Sequence, residues 1–400
     1  MSEVEFELRK LGDLIEIFNN KRVPLSAKQR EGLEKIYPYY GAQGIVDYVD
    51  DYIFDGKYIL IAEDGENLKS NNKSICTLAT GKYWVNNHAH IIKGNDKTNT
   101  DFLYYKLNSI NFAPYITGSA QPKLNKENLL NIELYIPSKE YQDKISKVLT
   151  LLDKKIQINN QINQELEAMA KTLYDYWFVQ FDFPDQNGKP YRSSGGKMVY
   201  NPELKREIPE GWGVAKLNEV VDLISGYPFS SNDYVISGKY KLYTIKNVQD
   251  GYTVDKVDNY LDFLPSNMSH ECQLRRGDLI MSLTGNVGRV GMVYEDDVLL
   301  NQRVLKLNPI NKTHKSFIYS FFRSDVTKAH LENMSTGTSQ KNLSPIDIGN
   351  MMIPFPSESL LSKFLDNLNM LENNLVENQQ LTQLRDWLLP MLMNGQVKVE

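Results

Sequence analysis

The sequence predicts an α+β chain of two tandem mixed α/β domains, each followed by a long helix, the two helices pairing as an antiparallel coiled coil. Three observations predict it. First, the run T-G-S-A-Q-P-K-L from Thr117 recurs as T-G-T-S-Q-K-N-L from Thr336, and Gln121/Gln340, Leu124/Leu343, Pro137/Pro356 and Leu152/Leu371 all lie 219 apart. Second, Lys10-Leu11-Gly12-Asp13-Leu14 matches Lys216-Leu217-Asn218-Glu219-Val220 at a separation of 206, so the second copy is 13 residues longer. Third, each copy closes in Ile136-Pro137-Ser138 or Phe355-Pro356-Ser357 and passes into an apolar repeat of coiled-coil spacing.

Residues 1–138 form the first domain. Tyr58 to Ala62 and Trp84 to Ile91 read as strands, and Asp101 to Leu107 as a helix capped by Thr100 or Asp101. Residues 139–178 are the first coiled-coil helix. Ile145, Leu149, Leu152, Ile156, Ile162, Leu166, Met169 and Leu173 form its seam, and Asn159 takes one seam position. Residues 179–207, with Asp182 to Pro190 and Ser193-Ser194-Gly195-Gly196, carry linker chemistry. Residues 208–358 are the second domain, with strands over Gly277 to Leu283 and Val298 to Leu305 and a helix near Lys315 to Arg323. Residues 359–400 are the second coiled-coil helix, interrupted near Pro390. Its polar seam position is Asn378, again 219 from Asn159. Antiparallel pairing about a local two-fold sets Ile145 against Leu392, Leu173 against Phe364 and Asn159 against Asn378, a polar pair that would fix register. Facing water is the plainer role for both asparagines.

Composition narrows the function. A 41% hydrophobic content supports real cores, and a net charge of −5 means that nucleic-acid binding would rest on local patches. Cys76 and Cys272 show no CxxC spacing, which points to a reduced compartment. No signal peptide and no apolar run of about 18 residues is visible, so the expected place is the cytoplasm, away from membranes.

Catalytic motifs are scarce. There is no P-loop and no G-x-G-x-x-G turn. Gly285 to Arg289 reads as a hairpin turn. Asp185 with Glu203 and Lys205 fits a loose Mg²⁺-nuclease pattern, but across a linker with no strand framework. His88 and His90 share a strand face without a third metal ligand.

The remaining candidates are turn residues able to read base edges or phosphates. In the first half these are Lys21, Arg22, Gln43, Gln121 and Lys123. In the second they are Lys246, Asn247, Asn286, Arg289, Gln302, Arg303, Gln340 and Lys341. Each has a solvated-loop reading beside it. Gln121 and Gln340 recur in both halves, which favours a frame or backbone role over discrimination.

These features together resemble the specificity subunit of type I restriction–modification systems. The repeated T-G-[ST]-[AS]-Q segments carry the resemblance, with Tyr37 to Ile45, Tyr174 to Phe178, Phe181 to Pro184 and Ile208 to Trp212. The resemblance covers essentially the whole chain. It implies a non-catalytic DNA-binding subunit that reads a bipartite target, one half-site per domain, with the gap set by the coiled coil. It implies double-stranded DNA, two methyltransferase (modification) subunits and two restriction/translocase subunits as partners. No cofactor is implied for this chain; S-adenosylmethionine, ATP and Mg²⁺ would sit in the partners. Two alternatives stay open: a self-contained Mg²⁺-dependent nuclease, and a protein-interaction scaffold without DNA contact.

Overall fold

The structure, a computed structural model, describes residues 5–65, 68, 75–118, 122–337, 341–364 and 366–399. It divides into two units. Met1–Ile156 with Leu381–Glu400 form the first, and Gln157–Gln380 the second.

In the first unit the chain runs β1 (Glu7–Lys10), β2 (Ile15–Ile17), α1 (Ala27–Glu31), β3 (Tyr37–Gly41), β4 (Gly44–Val49), β5 (Phe54–Asp55) and β6 (Tyr58–Ala62). It continues through β7 (Cys76–Ala79), β8 (Lys82–Val85), β9 (Ala89–Gly94), α2 (Thr100–Asn108), α3 (Lys126–Leu130) and β10 (Glu133–Ile136). The long helix α4 (Lys139–Tyr174) then begins here and passes into the second unit. One sheet has the order β2-β9-β6-β7 and another β4-β3-β8-β5, while β1 pairs with β10. Within the second sheet β3 and β8 are parallel. Ile59, Ile61 and Ile92 are fully buried beside Phe102, Leu103 and Leu149 of α2 and α4. Each such side chain contributes roughly 1.5–3 kcal/mol.

The second unit repeats the frame. It holds β11 (Met198–Asn201), β12 (Arg206–Pro209), β13 (Gly213–Lys216), β14 (Val221–Ser225), β15 (Tyr240–Tyr243), β16 (Gly251–Tyr252), β17 (Tyr260–Leu261) and β18 (Gln273–Leu274). Then come β19 (Leu279–Ser282), β20 (Val290–Met292), β21 (Val298–Leu300), β22 (Val304–Pro309), α5 (Lys315–Arg323), α6 (Asp325–Met334) and α7 (Pro345–Gly349). It closes with β23 (Met352–Phe355), α8 (Glu358–Lys363) and α9 (Asp366–Met393), whose last turns belong to the first unit. The sheets β14-β22-β19-β20-β16 and β17-β15-β21-β18 follow the earlier orders, with β15 and β21 parallel. Tyr40 and Tyr243 are equivalent, since their carbonyls accept from Asn86 N and Asn301 N. Glu63 and Leu283 are equivalent, since theirs accept from Leu124 N and Leu343 N. The first pair lies 203 apart and the second 220, so the second copy gains residues between β15 and β19.

Several expectations need correction. Trp84–Ile91 and Val298–Leu305 are each two strands. The break falls at Asn86 and Asn301, whose side-chain oxygens accept from the backbone of His88 (2.8 Å) and Arg303 (3.3 Å). Such local bonds compete with a sheet ladder. The cap of α2 is Asn99, accepting from Phe102 N, rather than Thr100 or Asp101. Helix α9 runs through Pro390 instead of stopping there; so near its end only one ladder bond is lost.

The stretch 179–207 is folded rather than a bare connector. Phe183 stacks between Tyr191 (4.7 Å) and Trp212 (5.4 Å), Phe181 is buried, and β11 pairs with β12. Asp182 accepts from Ser193 N at 2.7 Å. The aromatic residues, not the Gly/Ser run, decide this.

The long helices pair antiparallel. Ser138 caps α4 by accepting from Tyr141 N at 3.4 Å. In the first unit Ile145, Leu149 and Leu392 share one apolar cluster, and Arg385 bonds Asp153 at 2.9 Å. In the second, Leu173 and Phe364 share a cluster, as the two-fold requires. There Asn159 donates to Glu377 (2.7 Å), Asn378 to Asn160 (2.8 Å) and Asn374 to Asn163 (3.0 Å). The numbers in every such pair add to 536–538, and those of Asn159 and Asn378 to 537. The register is thus the one the repeat predicts. The two asparagines do not donate to each other, however; each bonds the neighbour of the other. Their Oδ1 atoms are buried without a hydrogen-bond partner, a cost of about 1–3 kcal/mol each.

Candidate nucleic-acid interface

In each unit the repeated T-G-[ST] loop is stitched to one end of the first-named sheet. In the first unit Lys123 bridges to both Thr117 and Asp64. In the second Asn342 bridges to Thr336 and Thr284. Glu63 N donates to His88 O (3.0 Å), and Leu283 N to Arg303 O (3.0 Å). Three separate turns therefore meet at the same place twice, carrying different side chains each time.

In the first unit this place is held by charge pairing. Arg22 pairs with Glu63 at 2.8 Å and donates to the carbonyls of Asn87, Ala89 and Asn19. Its donors are largely spent inside the unit, so Arg22 is a brace rather than a free reader. Lys123 approaches Glu63 at 3.4 Å with its side chain 55% exposed. Burial works to raise the Glu63 carboxyl, but bonds from Arg22 and Lys123 outweigh it and hold it below the ordinary value. Gln43 and Lys21 are exposed, Gln43 on the β3–β4 turn and Lys21 near the Phe18 ring. Gln121 lies outside the described residues.

His88 and His90 separate. His88 is exposed on the turn and pairs with Asp64 at 2.8 Å. His90 is buried, its Nε2 donating to Leu124 O (2.7 Å) and its Nδ1 accepting from Asn19 (2.8 Å). Burial pushes its imidazole below the usual range. His90 thus ties the repeated loop to the core, and no group of three metal-ligating residues occurs among the described residues.

In the second unit the meeting place is a polar groove of about 690 Å³. Asn286, Arg289 and Lys341 line it together with Gln249, Asp250, Tyr252 and Lys328. Arg289 donates to Gln249 Oε1 at 3.2 Å, and the Asn286 amide oxygen, turned toward it, accepts from both guanidinium nitrogens at 3.2 and 3.3 Å. Among the described residues Arg289 forms no ion pair, so its charge faces neutral amides. Lys341 lies 3.8 Å from Glu332. Gln302 and Arg303 are exposed on the turn between β21 and β22. Lys246 pairs with Asp258 at 2.6 Å, both side chains well exposed, and its carbonyl accepts from Gln249.

Asn247 is a correction. It is 3% exposed, accepts from Thr244 N and donates to Val254 O and Lys256 O, so it locks a turn and offers nothing outward. Gln340 lies outside the described residues. Sequence reasoning missed Gln249, Tyr252 and Lys328. Gln249 stood next to the chosen Lys246-Asn247 and carried the same signal; Lys328 sits on a helix and carried none. Asp185, the nuclease candidate, spends Oδ1 on Asn187 N (2.7 Å) and Lys189 N (2.8 Å) to staple its own turn. No helix among the described residues is long and apolar enough to cross a membrane.

Comparison with known proteins gives one picture. Residues 3–168 and 209–385 match the model of the type I restriction modification DNA specificity domain. A Haemophilus influenzae protein assigned as a type I restriction enzyme specificity subunit is 28% identical over 93% of this chain and 90% of its own length. The MjaVIII specificity subunit of Methanocaldococcus jannaschii is 25% identical over 99% of this chain and 94% of its own. The crystal structure of a type I restriction–modification S subunit from M. genitalium superposes with a TM-score of 0.59 at 16% identity, covering 98% of this chain and 97% of the other.

Proposed function

Because the chain belongs to the type I restriction modification DNA specificity family, we propose that each unit reads one half of a split DNA target through the turns gathered at its sheet end. The chain is a specificity subunit with two recognition domains; it is non-catalytic, and the restriction and modification chemistry lies in partner subunits. Residues 1–138 and 208–358 are the proposed recognition domains, 139–178 and 359–400 the helices that set the gap. The observation that carries this is the repetition: one frame, twice, with the same three turns joined and their side chains changed.

In the second unit Arg289 and Asn286 are the proposed base readers, because arginine suits guanine and asparagine suits adenine. Lys341 in the groove and the exposed Gln302 and Arg303 of the β21–β22 turn are the proposed phosphate contacts. In the first unit Gln43 and Lys123 take these roles with His88, and Lys21 is placed for the backbone. The paired acids there lower the net positive charge, so contact with partner subunits that also close on DNA would complete the binding. Two modification subunits, supplying S-adenosylmethionine, and two restriction subunits, supplying ATP-driven movement and Mg²⁺-dependent cleavage, are the proposed partners. With DNA as target, the working place is the cytoplasm.

The test is methylation mapping. The chain is co-expressed with its methyltransferase partner in a methylation-free host, and the genome is read for N6-methyladenine. A split motif that disappears without this chain is the expected result. Abundant, folded methyltransferase and chain with no split motif would overturn the reading.

A further inference from the structure

The groove of the second unit has a wall, Gln249–Asp250, that reaches the reading residue Arg289 through Gln249. Asp250 is gripped by Arg323 Nε at 3.0 Å and Lys328 Nζ at 2.7 Å. Arg323 also pairs with Glu167, on the long helix α4. Its guanidinium lies over the Tyr319 ring at 4.6 Å, and the Tyr319 hydroxyl donates to Glu167 Oε1 (2.5 Å) and contacts Gly251 O (3.1 Å). Gly251 sits inside this tie at φ 99°. A Cβ there would stand 2.9 Å from both Arg323 Nη2 and Glu167 Oε1. The backbone therefore approaches the charges as closely as glycine permits.

Beside the tie lies a cavity of about 230 Å³ lined by Glu167, Lys171, Asp250 and Arg323. On that side charged bonds, not packing, hold the wall. Arginine's planar fork holds two carboxylates in a fixed geometry that lysine's flexible point charge does not impose, and base reading tolerates only about half an ångström of misplacement. Among the described residues the first unit has no such tie. The residue equivalent to Arg323, by the spacing of Phe102 and Phe317, is Asn108, which bonds the backbone of Cys76.

We propose that Arg323 is a positioning residue for target reading: by joining Asp250 of the groove wall to Glu167 of the long helix, it sets the specificity of the half-site read by the second unit and of that half alone. This rests on the reading of the units as DNA readers. It adds that the helix is a reference frame for the second groove, not only a spacer.

Methylation mapping of the full chain with its methyltransferase partner tests it, using Arg323→Gln, Arg323→Lys and Glu167→Gln. Arg289→Ala identifies which half-site belongs to the second unit. In Arg323→Gln and Glu167→Gln, methylation at sites with a wrong base in that half should rise about tenfold relative to the right base, the low end of one base contact's discrimination. The other half should keep its stringency. Arg323→Lys should fall between these variants and the unaltered chain. If Arg323→Gln fails to assemble, the near-isosteric Glu167→Gln decides. An unaltered motif in Glu167→Gln, or equal relaxation of both halves, overturns the proposal. A wild-type complex without any split motif instead overturns the reading beneath it.

Discussion

Ile158→Glu with Ile162→Glu should abolish capture of the methyltransferase partner while leaving the chain folded. Ile158, Ile162 and Met169 are 51%, 39% and 51% exposed on α4, so Ile162 and Met169 lie outside the seam in which the apolar repeat put them. Their spacing of four and seven puts them on one helix face, beside the seam that buries Asn159, Asn163 and Leu166. Met370 of α9, 53% exposed, belongs to the same unit. The first unit exposes other apolar side chains on these helices, Leu151, Leu384 and Trp387, at 58%, 43% and 58%. Each unit thus exposes apolar side chains on its helices, which suits the two modification subunits that the family resemblance implies. Fully burying an isoleucine side chain is worth roughly 1.5–3 kcal/mol. Two buried charges in their place should weaken binding about a hundredfold or more. Exposed substitutions shift folding stability by only about 0.5 kcal/mol. Co-purification and thermal melting check this. Full partner retention at unchanged stability would rule out the patch as the docking face.

The second large effect concerns the gap between half-sites. Inserting seven residues in each long helix, between Ile156 and Gln157 and between Gln380 and Leu381, should lengthen it by about three base pairs. Seven residues add about 10 Å of helix at 1.5 Å each, and duplex DNA rises about 3.4 Å per step. These points are level with each other, since 156 and 381, like the observed pairs, add to 537. A matched insertion keeps the apolar seam continuous. An insertion in one helix alone leaves a heptad without its partner and should cost assembly rather than lengthen the gap. Both half-sites should survive the matched change. A motif with its original gap would show that the helices do not measure it.

Much of this was legible because the repeat is local and periodic. The offset of 219 led directly to the antiparallel register, since a seam written twice can pair with itself in few ways. Tyr58–Ala62 and Lys315–Arg323 form their elements where pattern placed them. The strand breaks were hidden because Asn86 and Asn301 act through side-chain-to-backbone bonds that hydrophobic pattern does not encode. Asn247 looked like a reader because it is polar and in a turn; only the fold shows both ends of its amide satisfied from within. Arg22 misled for the same reason, as its partner Glu63 is distant in sequence. The tie of Glu167, Asp250 and Arg323 joins three elements, and no spacing rule connects them.

The most direct measurement is the methylation map of a chimera. Residues 1–138 are replaced by the first domain of another family member, and the chimera is expressed with the same methyltransferase partner. One half of the split motif should take the donor's sequence, with the other half and the gap unchanged. A chimera that assembles yet alters both halves, or neither, would contradict the assignment of one half-site to each unit.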